Sequence, residues 1–125
     1  MKWINRNFQP PSPYVGLFTD AKKFRQSCIK VGCKEIPLYP ESSAARTWFM
    51  HNPEGELCAF VCLNLAKIKK YKRIELYALL CHEAVHVWQE WAAGIGEDKP
   101  GAEQEAYAVQ WISLKLMNAW EEIKK

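Results

Sequence analysis

The pentapeptide His82-Glu83-Ala84-Val85-His86 sets two imidazoles four residues apart, with a carboxylate directly after the first. On a helix, residues four apart lie one turn above each other on one face. Two imidazoles so spaced can reach a single ion, each at about 2.0–2.1 Å, and zinc suits such ligands. Glu83 is rotated by about 100° from His82 around the axis. It therefore stands beside such an ion and not on it, near the place of a bound water. Zinc lowers the pKa of its water toward about 7, and a carboxylate in that place is a general base for the proton. The His-Glu-x-x-His pattern also occurs by chance, and its weight here comes from context. Leu76, Leu79, Leu80, Cys81, Val87 and Trp88 make the surrounding helix strongly apolar, so two histidines and a glutamate are costly there without a purpose.

A catalytic zinc takes three protein ligands and a water. No histidine follows His86, so a third ligand downstream has to be acidic. The next helical stretch opens Gly101-Ala102-Glu103-Gln104-Glu105-Ala106-Tyr107. The chain has the reach for this return: the helix advances about 12 Å from His86 to Gly94, and residues 95–101 span about 23 Å when extended. Glu103 and Glu105 both qualify, and Glu105 falls nearer the middle of the apolar stripe of its helix. The carboxylate that is not a ligand suits the helix dipole as a solvated first-turn charge.

Positioning these groups requires two helices and a scaffold. The pattern turns helical near Arg73, leads through the motif and ends near Gly94 or Gly96. After a loop in which Asp98 and Pro100 suit a helix opening, a last helix runs from about Pro100 to Ile123. Its apolar stripe is Ala102, Ala106, Val109, Ile112, Leu116, Trp120 and Ile123. Upstream, residues 36–39, 46–50 and 57–65 read as strands. The last two are joined by the turn signal His51-Asn52-Pro53-Glu54-Gly55 into a hairpin of a small antiparallel sheet. A first helix starts near Thr19 or Asp20, buries Phe24, Cys28 and Val31, and stops at Gly32. Residues 1–13, with Pro10, Pro11 and Pro13, form an irregular arm fixed to the body by Trp3, Ile4 and Phe8.

His82, Glu83 and His86 with a glutamate on the following helix resemble the gluzincin metallopeptidases. The string His-Glu-Ala-Val-His-Val-Trp-Gln, then Glu-Gln-Glu-Ala-Tyr, is similar to minimal gluzincin-like domains of small bacterial and phage metallopeptidases. The resemblance covers about residues 45–120. It implies a zincin-like α+β fold, with a small antiparallel sheet on one side of the active helix and the terminal helix on the other. An edge strand within residues 46–63 would bind an extended peptide. It implies a Zn2+ cofactor held by His82, His86 and Glu103, and hydrolysis of an amide bond in a peptide or protein with Glu83 as the general base. Glu103 is favoured because Ala106 and Tyr107 follow it at the gluzincin spacing. Tyr107 stands where aspartate or asparagine is usual, a departure in the residue that supports a ligand.

Other residues read more plainly. His51 is a loop histidine. Tyr71, Tyr77 and Tyr107 are candidate oxyanion stabilisers but more often core, as are Trp88 and Trp91, whose alternative is a cleft wall. Cys81 points about 100° away from His82 and packs. Residues 67–73, Lys-Ile-Lys-Lys-Tyr-Lys-Arg, read first as a solvated linker and helix start. They also motivate an alternative, a protease resembling the SprT-like group that acts on nucleic-acid-bound proteins, although that group uses a third histidine. A further alternative is a non-catalytic, zinc-stabilised binding module.

The totals fit one domain over residues 1–125. Nearly half of the chain is apolar and a quarter charged, enough for a packed core. A net charge of +3 is too weak to argue for nucleic acid by itself. No apolar run suits a membrane span or an export signal. The five cysteines, an odd number, read as reduced thiols in a cytoplasmic chain.

Overall fold

Leu57-Cys-Ala-Phe-Val-Cys-Leu63 has neither charge nor proline, so a strand made from it is apolar on both faces and has to be covered twice. The computed structural model describes residues 12–94 and 101–124, and this strand lies at its centre. In chain order the elements are β1 (Tyr14–Phe18), α1 (Ala21–Lys30), β2 (Ala45–His51), β3 (Leu57–Leu63), α2 (Leu65–Ile68), α3 (Arg73–Gly94) and α4 (Ala102–Lys124). The sheet order is β1-β3-β2.

Side-chain alternation along β3 divides the core. Ala59, Val61 and Leu63 meet Leu80, Ala84, Val87 and Trp88 of α3 and Ala108, Ile112 and Leu116 of α4. Cys58, Phe60 and Cys62 face the other way and meet Phe24 and Cys28 of α1. The fold is thus α+β, with α1 on one face of the sheet and α3 with α4 on the other. The hairpin β2–β3 matches the sequence reading. Asn52 N donates to Glu56 O at 3.0 Å, and Gly55, at φ 81°, takes the left-handed conformation that the turn needs. Asp20 caps α1 by accepting from Lys23 N at 2.8 Å, and Gly32, at φ 84°, follows its end.

Four expectations need correction. The sheet is mixed, because β1, which the sequence does not announce, pairs parallel with β3. β1 is five residues long and contains Gly16. A Cβ there would lie 3.0 Å from the Phe18 ring, so the glycine admits the edge-to-face packing of Phe18 on Phe60. Residues 36–39 form no strand, since Pro37 and Pro40 lack the N–H that a ladder uses. Tyr39 instead sets its hydroxyl 2.6 Å from Leu63 O and 3.0 Å from Phe18 O, tying together the ends of β3 and β1. Third, α4 does not lie opposite the sheet across α3. Both helices share one sheet face, and α4 also packs on β1. Fourth, Ala102, Ala106 and Ile123 are exposed and Ala108 is buried, because the inward face of α4 is set by Ala108, Ile112 and Leu116. The expected contacts of Trp3, Ile4 and Phe8, and the opening at Asp98 and Pro100, lie outside the described residues.

All five cysteines are free thiols. Burial pushes Cys28 up to about 11, helped by Cys33 beside it, and burial pushes Cys62 up to about 12. Thiolate is the reactive form, so both are inert at neutral pH. Alkylation of the native protein at pH 8 is expected to modify the half-buried Cys33 and Cys81 first. Cys28, Cys58 and Cys62 should react only as fast as the chain unfolds, as peptide mass mapping over time would show.

Candidate metal centre

Helix α3 owes its position to Leu76, Leu80, Ala84, Val87, Trp88, Trp91 and Ala92, which recur at helical spacing and bury against the sheet and α4. This arrangement turns His82 and His86 outward, both exposed, and draws Glu83 inward to 5 % exposure. The His82 and His86 Nε2 atoms lie 3.2 Å apart. Two nitrogens at 2.0–2.1 Å from one tetrahedral ion stand about 3.3 Å apart. The pair therefore fits two positions of a zinc site. On the outer side of His86, Nδ1 is 3.3 Å from Gln89 Oε1, a partner of the kind that fixes a ligand's tautomer.

The imidazoles open onto a cleft of about 440 Å3 between α3 and β2. From the helix come His82, Glu83, His86, Gln89 and Glu90, and from the strand Arg46, Thr47 and Phe49. Thr47 Oγ1 donates to Glu83 Oε1 at 2.6 Å, which holds the carboxylate at the base of the cleft. A buried carboxylate that lines the cleft and accepts one short hydrogen bond is placed to exchange a proton with a group bound there. Thr47→Val removes that donor from a buried acceptor. It is expected to cost about 1–3 kcal/mol of stability in denaturant titration, leaving the Nε2 pair in place.

Strand β2 lies at the edge of the sheet. Asn64 N donates to Ala44 O, and Asn52 N to Glu56 O, so the even-numbered residues between carry the hydrogen bonds to β3. By antiparallel alternation Ala45, Thr47 and Phe49 turn their N–H and C=O groups toward the outer edge. Among the described residues no strand pairs there.

The structure brings His82, Glu83 and His86 together and does not bring either downstream glutamate to them. Glu103 is exposed in the first turn of α4 and lies outside the cleft lining. Glu105 Oε2 accepts from Trp88 Nε1 at 2.9 Å. Trp88 is turned about 200° from His86 around the helix, so this bond ties Glu105 to the far side of α3. Among the described residues no group of three His, Cys, Asp or Glu converges on one point. The candidate tyrosines are elsewhere too. Tyr77 donates to Glu121, Tyr71 lines a second cavity, and Tyr107 is exposed. Trp88 and Trp91 are core, and His51 is exposed at the end of β2.

Thr47, Arg46, Gln89 and Glu90 are site residues that the sequence reading passed over. Gln89 and Glu90 had a signal, since they lie three and four residues beyond His86 on the same helical face. Thr47 had none beyond strand alternation.

Comparison with known protein families, curated proteins and solved structures returned no match.

Proposed function

We propose that the cleft between α3 and β2 is the active site of a zinc-dependent hydrolase that cleaves an amide bond in a peptide. The observation that carries this reading is the pair of Nε2 atoms 3.2 Å apart over a buried glutamate, at an open cleft. His82 and His86 hold the metal, with Gln89 keeping His86 in orientation. When bound, zinc polarises the substrate carbonyl and makes a bound water acidic near neutral pH. Glu83 takes the proton from the attacking water and returns it to the leaving amine, and Thr47 keeps its carboxylate aimed through both transfers. The outward N–H and C=O groups of Ala45, Thr47 and Phe49 pair with an extended substrate and align its backbone beneath the imidazoles.

The reading assigns the third ligand to Glu103, as the gluzincin pattern has it. Glu103 stands outside the cleft lining, and the Trp88–Glu105 bond holds the first turn of α4 to the other side of α3, so this assignment rests on the resemblance alone. Glu103→Gln that binds zinc with unchanged affinity removes Glu103 from the ligand set and leaves the pair untouched. The exposure of both imidazoles favours a catalytic over a purely structural site, because structural zinc sites are closed by four protein ligands. The test is hydrolysis of a quenched fluorescent peptide library. The proposal expects cleavage that a chelator abolishes and zinc restores. Cleavage indifferent to chelators, or none with zinc bound, refutes the hydrolase reading.

A further inference from the structure

The basic stretch at residues 67–73 contributes nothing to the cleft, yet it borders a second cavity of about 500 Å3 where α2, the start of α3 and the end of α4 meet. Buried Ile68 and Leu76 and the aromatic rings of Tyr71 and Trp120 supply its apolar surface. Its cations are Lys69, Arg73 and Lys124. Arg73 is paired with Glu121 at 2.9 Å, and Tyr77 also donates to that carboxylate. The acidic group in the lining is therefore already neutralised. Lys124 Nζ lies 5.5 Å from the centre of the Trp120 ring, which places a cation beside an aromatic face. Lys67, Lys70 and Lys72 of the same basic stretch are exposed.

The chain's charge is concentrated here. Residues 67–73 carry five cations and no acid, which leaves the remainder with 12 basic against 14 acidic residues. A hollow that sets Tyr71 and Trp120 beside Lys69 and Lys124 fits a planar ring bearing phosphate. We propose that this cavity binds a nucleotide unit of a single-stranded nucleic acid, with the base against Tyr71 and Trp120 and the flanking phosphates on Lys69 and Lys124. A duplex keeps its bases stacked and cannot fill the hollow. An anionic membrane is a poorer fit, since Tyr71 and Trp120 line a concavity. The site is separate from the metal cleft, about 9–14 Å along α3 from Arg73 and Leu76 to His82, and stands whether or not the cleft holds zinc.

The test is fluorescence anisotropy of the full chain with a labelled oligothymidylate of about 15 nucleotides. Duplex DNA of equal length, inorganic polyphosphate and phosphatidylserine vesicles serve as competitors. The expected result is micromolar binding at low salt, preferring the single strand. With two or three phosphates neutralised, log K should fall with log salt at a slope of about −1.5 to −2. Tyr71→Ala, a change at a 40 % exposed residue, should weaken binding about tenfold and leave the slope unchanged. Lys69→Ala and Lys124→Ala should each reduce the slope by about 0.7. The proposal is overturned if the oligonucleotide does not bind, or if polyphosphate, duplex or vesicles compete as well as a single strand. It is overturned equally if Tyr71→Ala binds like the parent.

Discussion

Glu83→Gln is expected to lower the rate of peptide hydrolysis by about 10²–10⁴-fold, the usual contribution of a positioned general base, while zinc stays bound. The expectation follows from placement. Glu83 is the only charged side chain buried among the described residues, and it sits beside the imidazole pair. Glutamine keeps the shape and retains an oxygen to accept from Thr47 Oγ1, so the fold has no reason to change. What disappears is the capacity to take a proton from water and hand it on. Steady-state kinetics should therefore show the loss in kcat, with KM little altered, because Glu83 lies at the base of the cleft and off the outer edge of β2 on which the proposal seats the substrate. Circular dichroism and thermal melting should match the parent, and stability is unchanged or raised, since a neutral amide replaces a buried carboxylate. A loss of stability together with activity would show that the side chain is structural.

His86→Ala is expected to weaken zinc affinity by more than 100-fold in competition with a chromogenic chelator. Loss of a partner that merely orients a ligand already costs about 10–100-fold, and loss of the ligand itself must cost more. The apo protein should stay folded, because His86 is exposed and its neighbours Val87 and Trp88 carry the packing of α3. The parent should gain thermal stability on adding zinc, by mass action on the native state, and His86→Ala should not. Gln89→Ala should fall between the two, since it removes only the Nδ1 partner of His86.

Local patterns carried most of what the sequence made legible. The hairpin was written in the turn signal at residues 51–55, the stop of α1 in Gly32, and the axis of α3 in its apolar recurrence from Leu76 to Trp88. The convergence of His82 and His86 followed from four-residue spacing alone, which is why the site could be read before its surroundings. Tertiary relations stayed hidden. β1 has neither the length nor the alternation to declare itself, and its parallel pairing depends on the crossover through α1. Thr47 is one of several residues alternating along β2, and only the register of β2 against β3, with α3 across that face, selects it as the partner of Glu83. The choice between Glu103 and Glu105 turns on the rotation of α4 about its axis. Periodicity favoured Glu105, and the structure engages that residue with Trp88. The basic segment at residues 67–73 looked like a linker because its cavity is completed by Trp120 and Lys124, about 50 residues away in the chain.

X-ray absorption at the zinc K-edge, on protein reconstituted with one equivalent of zinc, probes the centre most directly. Ligation by His82 and His86 predicts two imidazole nitrogens and oxygen donors at about 2.0–2.2 Å, with the imidazole signal halved in His86→Ala. A sulfur shell at about 2.3 Å would place the metal on cysteines instead, and that result, or failure to retain zinc at all, would contradict the account.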